Sequence, residues 1–214
     1  NTGLGNCVIM CSLVYTYLHS IGIRKFRLLN NGDDCVIMVE QRFEQRIMVT
    51  LEQWFQEAGF RMKVEEPVYE LEQVEFCQCH PVTDGKRWLM TRNPHDAPSK
   101  DLTTIKTVGS RRAWNTLRNT ISKCGLACAG GLPIMDSFYR ALGREAGDRI
   151  DADPAMYGLR YMSKNLDRSK LTVTPEARAS FWAAFDITPG EQIVLEQHYD
   201  NYTPQWHDPL PGNG

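Results

Sequence analysis

Hydrophobic positions in the amino-terminal third of the chain follow two periods. After Gly3 and Gly5, apolar side chains at Val8, Cys11, Val14, Tyr15, Leu18 and Ile21 recur at offsets of three and four. That spacing predicts a helix over residues 7–21 with one buried face, stopped at Gly22. Two short apolar stretches, 26–29 and 35–39, flank the polar run Asn30-Asn31-Gly32-Asp33-Asp34 and read as strand, tight turn, strand. Helical spacing returns over 41–58 through Phe43, Ile47, Leu51, Trp54 and Phe55, and Gly59 closes it. Residues 60–64 and 74–79 read as strands, and 87–91 pairs back through a turn at Asp84-Gly85. Beyond residue 98 the pattern becomes helical, over 99–106, 110–124, 132–145, 175–185 and 189–198. The tail from 202, rich in Pro, Gly and Asn, reads as loosely ordered. These elements predict an α+β fold, an antiparallel sheet with helices on one face followed by a mostly helical region. The boundary is expected within 82–98, giving domains 1–90 and 91–214, and no internal repeat is present.

Composition changes this picture little. The chain has 214 residues, 42% apolar and 23% charged, which excludes an intrinsically disordered chain. No window approaches the ~18 uninterrupted apolar residues of a membrane span. Seven cysteines, an odd number with no signal peptide before them, point to a reduced intracellular setting. The start at Asn1, without Met, suggests an amino-terminal truncation. Charge is more informative. Residues 1–82 carry seven Lys/Arg against eleven Asp/Glu, 83–131 carry nine against three, and 132–214 carry eight against twelve. A chain of net charge -2 thus has a basic middle able to attract a polyanion, although scattered cations equally make a solvated face.

The sharpest chemical feature is Gly32-Asp33-Asp34 between two apolar strands. On a regular strand adjacent carboxylates point to opposite faces, whereas a turn can bring both to one side. Gly32 supplies the conformational freedom such a turn requires. Grouped carboxylates suit Mg²⁺ or Mn²⁺, which prefer hard oxygen ligands. Taken alone, the same residues are also good hairpin-turn residues facing water. Cys77-x-Cys79-His80 and Cys124-x₃-Cys128 fit buried small hydrophobes better than a zinc site.

The order of motifs resembles viral RNA-dependent RNA polymerases, most closely the tombusvirus-like plus-strand branch. Asn1-Thr2-Gly3-Leu4-Gly5-Asn6 is similar to the end of that family's motif B, with Thr2 and Asn6 at its T-x₃-N spacing. Residues 28–35, centred on Gly32-Asp33-Asp34, resemble motif C. Gly59-Phe60-Arg61-Met62-Lys63 sits where motif D ends, and Val74-Glu75-Phe76-Cys77-Gln78 resembles the primer-grip motif E. The motif resemblance covers residues 1–94; from about 99 onward it is only to a helical thumb.

The resemblance implies a truncated right-hand polymerase, with a partial palm and then a thumb, acting by template-directed nucleotidyl transfer from NTPs. It implies Asp33 as the main motif C metal ligand with Asp34 assisting, two Mg²⁺ (or Mn²⁺) ions in the complete enzyme, and no activity without motif A. Thr2 and Asn6 would belong to the ribose pocket, whereas Asn6 taken without the resemblance reads as a cap of the following helix. Lys63 would be the general acid or electrostatic stabiliser for pyrophosphate, with Arg61 two residues away as the rival. Cys77 and Gln78 would lie near the primer terminus. Arg92, Lys100, Lys106, Arg111, Arg112 and Arg118 would hold phosphates of the RNA template and product strand. Trp114, Phe181, Trp182 and Phe185 read as core, and Arg140, Arg144 and Arg149 as a solvated face. Related enzymes work in the host cytoplasm on membrane-associated complexes, so viral or host replication proteins are expected partners. The alternative is a non-catalytic RNA-binding or scaffolding domain in which Gly32-Asp33-Asp34 is only a turn.

Overall fold

The computed structural model describes residues 2–104, 108–153 and 156–206. It is α+β, with two separate two-stranded antiparallel sheets and eight α-helices among the described residues. The chain divides into two compact units, 1–78 and 79–214.

The first unit opens with α1 (Thr2–Ser20), which starts five residues earlier than its periodicity indicates. Gly22 ends it at φ 81°, with the Ile23 N–H donating back to the Leu18 carbonyl at 2.8 Å. The strands β1 (Arg27–Asn31) and β2 (Asp34–Met38) pair from Arg27↔Met38 to Asn31↔Asp34. Pairing therefore runs to the last residue on each side, and the five-residue polar run holds only a two-residue turn, Gly32-Asp33. Gly32 takes φ 74° there, the positive first position of a type II′ hairpin turn, which a side chain would strain. Leu28, Asn30, Cys35 and Ile37 are half-buried on the inner side of the hairpin. Helix α2 (Glu44–Glu57), entered through a 3-10 turn at Gln41–Phe43, buries Ile47, Leu51 and Phe55 against Val14, Tyr17, Leu18 and Ile23. The Tyr17 hydroxyl meets the Thr50 hydroxyl at 2.8 Å across this core.

Two strand predictions fail in this unit. Residues 60–64 keep the period of two, with Met62 and Val64 packed on the core and Arg61 and Lys63 exposed, but they pair with no strand among the described residues. Residues 74–79 do not form a strand either. Cys77 and Gln78 take φ 54° and 59°, a left-handed pair that breaks extension, so β3 (Cys79–Thr83) begins only after them.

Strand β3 pairs with β4 (Trp88–Arg92) from Cys79↔Arg92 to Thr83↔Trp88. The turn falls at Asp84-Gly85 as its residues predict, with the Lys86 and Arg87 N–H groups donating to Asp84 Oδ1. Sequence grouped this hairpin with the preceding strands and placed the first domain at 1–90. By contacts it packs with the helices: Val82 joins the core of Leu117, Leu132, Phe138 and Phe181, and the Thr83 N–H donates to Ser180 Oγ at 2.9 Å. That packing explains the division at 78/79.

Helices α3 (Ala97–Leu102), α4 (Arg111–Ala129), α5 (Met135–Gly143), α6 (Tyr157–Met162), α7 (Pro175–Phe185) and α8 (Pro189–Asn201) complete the second unit. Their starts are legible: Ser110, Thr174 and Thr188 cap α4, α7 and α8, and Thr188 forms a capping box with Glu191. Helix α5 begins three residues later than predicted, because Gly131 (φ 77°) and Ile134 (φ 64°) hold a left-handed entry. Helix α6 carries too few inward positions to have been predicted. Trp182 is 47% exposed and is not core, whereas Phe181 is fully buried. Helices α4 and α5 approach closely at Gly125, where an added Cβ would lie 2.2 Å from the Tyr139 ring.

Candidate active site

A groove of about 950 Å³ runs through the first unit, and Asn6, Gly32, Asp33, Asp34, Arg61, Lys63, Cys77 and Gln78 are among the residues lining it. Most of the residues named from sequence for nucleotide chemistry are thus brought together from α1, the hairpin turn, the segment after α2 and the turn before β3. Thr2 is not part of this lining; it lies one helical turn before Asn6 on α1 and is exposed. Asn6 sits inside α1, so it does not cap the helix.

The hairpin presents Asp33 and Asp34 exposed at its tip. Among the described residues, no hydrogen bond or ion pair engages either carboxylate. The turn beneath them is held by a set of hydrogen bonds. The Asn30 side-chain amide donates to the carbonyls of Gly32 and Asp34, each at 3.1 Å. The Gly32 N–H donates to Cys7 Sγ at 3.0 Å, and Asn31 Nδ2 donates to Cys77 Sγ at 3.1 Å. Burial, reinforced by the nearby Asp34 charge and by Cys11, pushes the Cys35 thiol above its ordinary range. Cys7, Asn30 and Asn31 carry no sequence signal for this role, because it arises from contacts across elements.

Lys63 is exposed and pairs loosely with Glu65 at 3.3 Å. A surface pair of this kind is worth at most ~1 kcal/mol and yields easily to a stronger anion. No group of three His, Cys, Asp or Glu side chains converges to hold a metal among the described residues. The chain offers two adjacent hard-oxygen donors, which fit part of a divalent-cation site and require further ligands.

The basic middle divides sharply. Arg118 is 3% exposed and donates to the carbonyls of Leu142 (3.2 Å) and Arg144 (2.7 Å) and to Asn115 Oδ1 (3.1 Å), so it is not presented to a polyanion. Arg92 is half-buried, with its guanidinium on Asp101 (2.7 Å) and the Tyr139 hydroxyl (3.1 Å). Its charge is already matched. Lys100 is exposed, 4.0 Å from Asp96. Lys106 lies outside the described residues. Arg111 and Arg112 are exposed and line a cleft of about 420 Å³ with Asn115, Thr116, Gly147, Asp148 and Arg149. Arg149, read from sequence as part of a solvated face, is exposed, and the return of the chain past α4 brings it beside the other two. Trp114 is half-buried, its ring 6.5 Å from that of Trp206, consistent with packing.

The family profile described as viral RNA dependent RNA polymerase matches residues 1–207. Among similar proteins, the RNA-directed RNA polymerase of Oat chlorotic stunt virus (isolate United Kingdom) is 40% identical over 218 residues, covering 94% of this chain and 28% of the relative. That of Tomato bushy stunt virus (strain Cherry) is 41% identical over 209 residues, covering 94% and 25%. That of Tobacco necrosis virus (strain A) is 36% identical over 214 residues, covering 99% and 29%. The chain therefore spans about a quarter of the length of these curated relatives. No solved structure matches it significantly. The family match over nearly the whole chain establishes that it belongs to the viral RNA-dependent RNA polymerases, the family that the order of its motifs resembles.

Proposed function

We propose that this chain is the part of an RNA-directed RNA polymerase running from the end of motif B through the thumb, and that the complete protein carries out template-directed nucleotidyl transfer in viral RNA replication. The observation that carries this reading is the pair of uncommitted carboxylates, Asp33 and Asp34, exposed on a groove shared with Asn6, Lys63, Cys77 and Gln78. In this reading Asp33 is the principal ligand for Mg²⁺ or Mn²⁺, Asp34 assists, and the rest of the protein supplies the remaining ligands. When bound, two such ions activate the attacking 3′-oxygen and neutralise charge on the leaving pyrophosphate. Asn6, with Thr2 one turn away, reads the ribose 2′-hydroxyl; a site built to pair that group leaves polar atoms unsatisfied with a deoxynucleotide. Lys63 meets the pyrophosphate charge as general acid or electrostatic stabiliser, and Arg61, its rival two residues away, would serve only as a fixed positive charge. Cys77 and Gln78 border the primer terminus.

Arg111, Arg112 and Arg149 hold RNA phosphates on the thumb, and Lys100 extends that contact. Arg92 and Arg118 are left out because their guanidinium groups are spent within the unit. The first unit corresponds to the palm and the helical unit to the thumb of a right-hand polymerase. Helix α1 supports a larger assembly, because Leu4, Val8, Ile9 and Tyr15 are exposed on a helix that is apolar nearly all round. No described helix is long and apolar enough to cross a membrane. Attachment to membrane-bound replication complexes in the host cytoplasm therefore falls to other sequence or to viral or host partner proteins.

Asp33→Ala in the complete polymerase is expected to abolish nucleotide incorporation while RNA affinity stays within about twofold of wild type. Metal-dependent synthesis retained by that variant would refute the assignment and favour an RNA-binding or scaffolding role.

A further inference from the structure

We propose that Cys7 and Cys77 are positioning residues whose sulfur atoms hold the acidic turn in register for metal binding, a proposal that rests on the polymerase reading above. Among the described residues no cation or donor engages the Asp33 or Asp34 carboxylates, so their placement depends on how firmly the turn is fixed. The Gly32 N–H, at the turn's left-handed position, is taken by Cys7 Sγ at 3.0 Å. Asn31, which pairs with Asp34 across the hairpin, reaches the other way to Cys77 Sγ at 3.1 Å. Between these contacts the Asn30 amide bridges the Gly32 and Asp34 carbonyls, and its own carbonyl accepts the Cys11 thiol at 3.7 Å. The turn is thus tied through sulfur to α1 at Cys7 and to the turn before β3 at Cys77, and its base is tied to α1 a second time at Cys11.

The tethers also link the parts of the groove. Cys7 follows Asn6 on α1, and Cys77 precedes Gln78 in the left-handed turn. One network therefore joins the carboxylate pair to a residue assigned to the ribose and to the segment assigned to the primer terminus. Cysteine suits the position: both residues are half-buried, where a small, weakly polar side chain is tolerated, and the sulfur still accepts an N–H. A displacement of about 1 Å at a reacting centre costs on the order of a hundredfold in rate, so weak contacts that fix the turn carry a large effect.

The test uses the complete polymerase with Cys7→Ala, Cys7→Ser, Cys77→Ala and Cys77→Ser, and Asp33→Ala as the control. Incorporation is measured against Mg²⁺ and NTP concentration, together with RNA affinity and Tm. Each alanine variant is expected to raise half-saturating Mg²⁺ about fivefold, the worth of one net hydrogen bond, and to lower kcat, with the NTP KM unchanged and Tm lowered by no more than the few degrees one such bond accounts for; RNA affinity is expected to be unchanged for Cys7→Ala, the residue not assigned to the primer. The serine variants should recover most of the loss, because a hydroxyl accepts the same N–H. Alanine variants with wild-type Mg²⁺ dependence and kcat overturn the proposal. So do alanine and serine losses that are equal and follow a fall in Tm, which would mark mere packing. Incorporation retained by Asp33→Ala would instead sink the underlying assignment, a separate outcome.

Discussion

Arg118→Ala separates a cation spent on the fold from one offered to RNA. In the native unit its guanidinium is 3% exposed, donates through Nη1 to the Leu142 and Arg144 carbonyls at 3.2 and 2.7 Å, and donates through Nε to Asn115 at 3.1 Å. Burial pushes its pKa below the usual guanidinium range, partly offset by Glu145. Truncation removes three charge-assisted bonds of ~1.5–3 kcal/mol each and strips a donor from carbonyls at the end of α5. Against this, the cost of desolvating the charge disappears, so a net loss of about 3 kcal/mol is expected. For a unit of this size that corresponds to a Tm lower by about 6–12 °C in a thermal scan. RNA affinity measured below the transition should not change, nor should the slope of log K against log salt. Arg111→Ala, on the exposed cleft, should do the reverse: Tm nearly unchanged, and the salt slope smaller by about 0.7–0.9, one phosphate contact. An Arg118→Ala protein with native Tm and a reduced salt slope would refute the reasoning.

Three further expectations follow from the same geometry. Arg149→Ala should also lower the salt slope by about one contact, and an unchanged slope would remove Arg149 from the phosphate site. Gly125→Ala places a methyl group into the Tyr139 ring, 2.2 Å from its nearest carbon; overpacking should cost ~1–3 kcal/mol by denaturant titration despite alanine's better helix propensity. Burial alone would raise the pKa of Asp84, but the Arg168 guanidinium and the N–H groups of Lys86 and Arg87 outweigh it and hold the carboxyl at about 2 instead of 3.8. Its contribution to stability is therefore complete above pH 3.8 and lost as pH falls toward 2, so the stability gap between wild type and Asp84→Asn should close across that window.

Much of this protein is written locally. The periods of three to four and of two located α1, the β1–β2 hairpin, α2, α4 and α7, and the caps at Ser110, Thr174 and Thr188 fixed helix starts because capping is satisfied within one turn of chain. The motif order likewise exposed Asp33, Asp34 and Lys63 as candidates, since residue type and spacing carry the chemistry. Residues 60–64 and 74–79 misled because alternation reports which side chains turn inward but not whether a neighbouring strand supplies hydrogen bonds, and the left-handed pair Cys77-Gln78 has no compositional mark. Tertiary structure alone decided which arginines remain available. Arg111 and Arg118 lie two turns apart on one helix and look alike in sequence, yet burial against α5 commits one to backbone carbonyls and leaves the other in water. It also decided that β3 and β4 belong with the helices and that Cys7 and Cys77 meet the acidic turn. Those outcomes depend on contacts between residues distant in sequence, which no local pattern encodes.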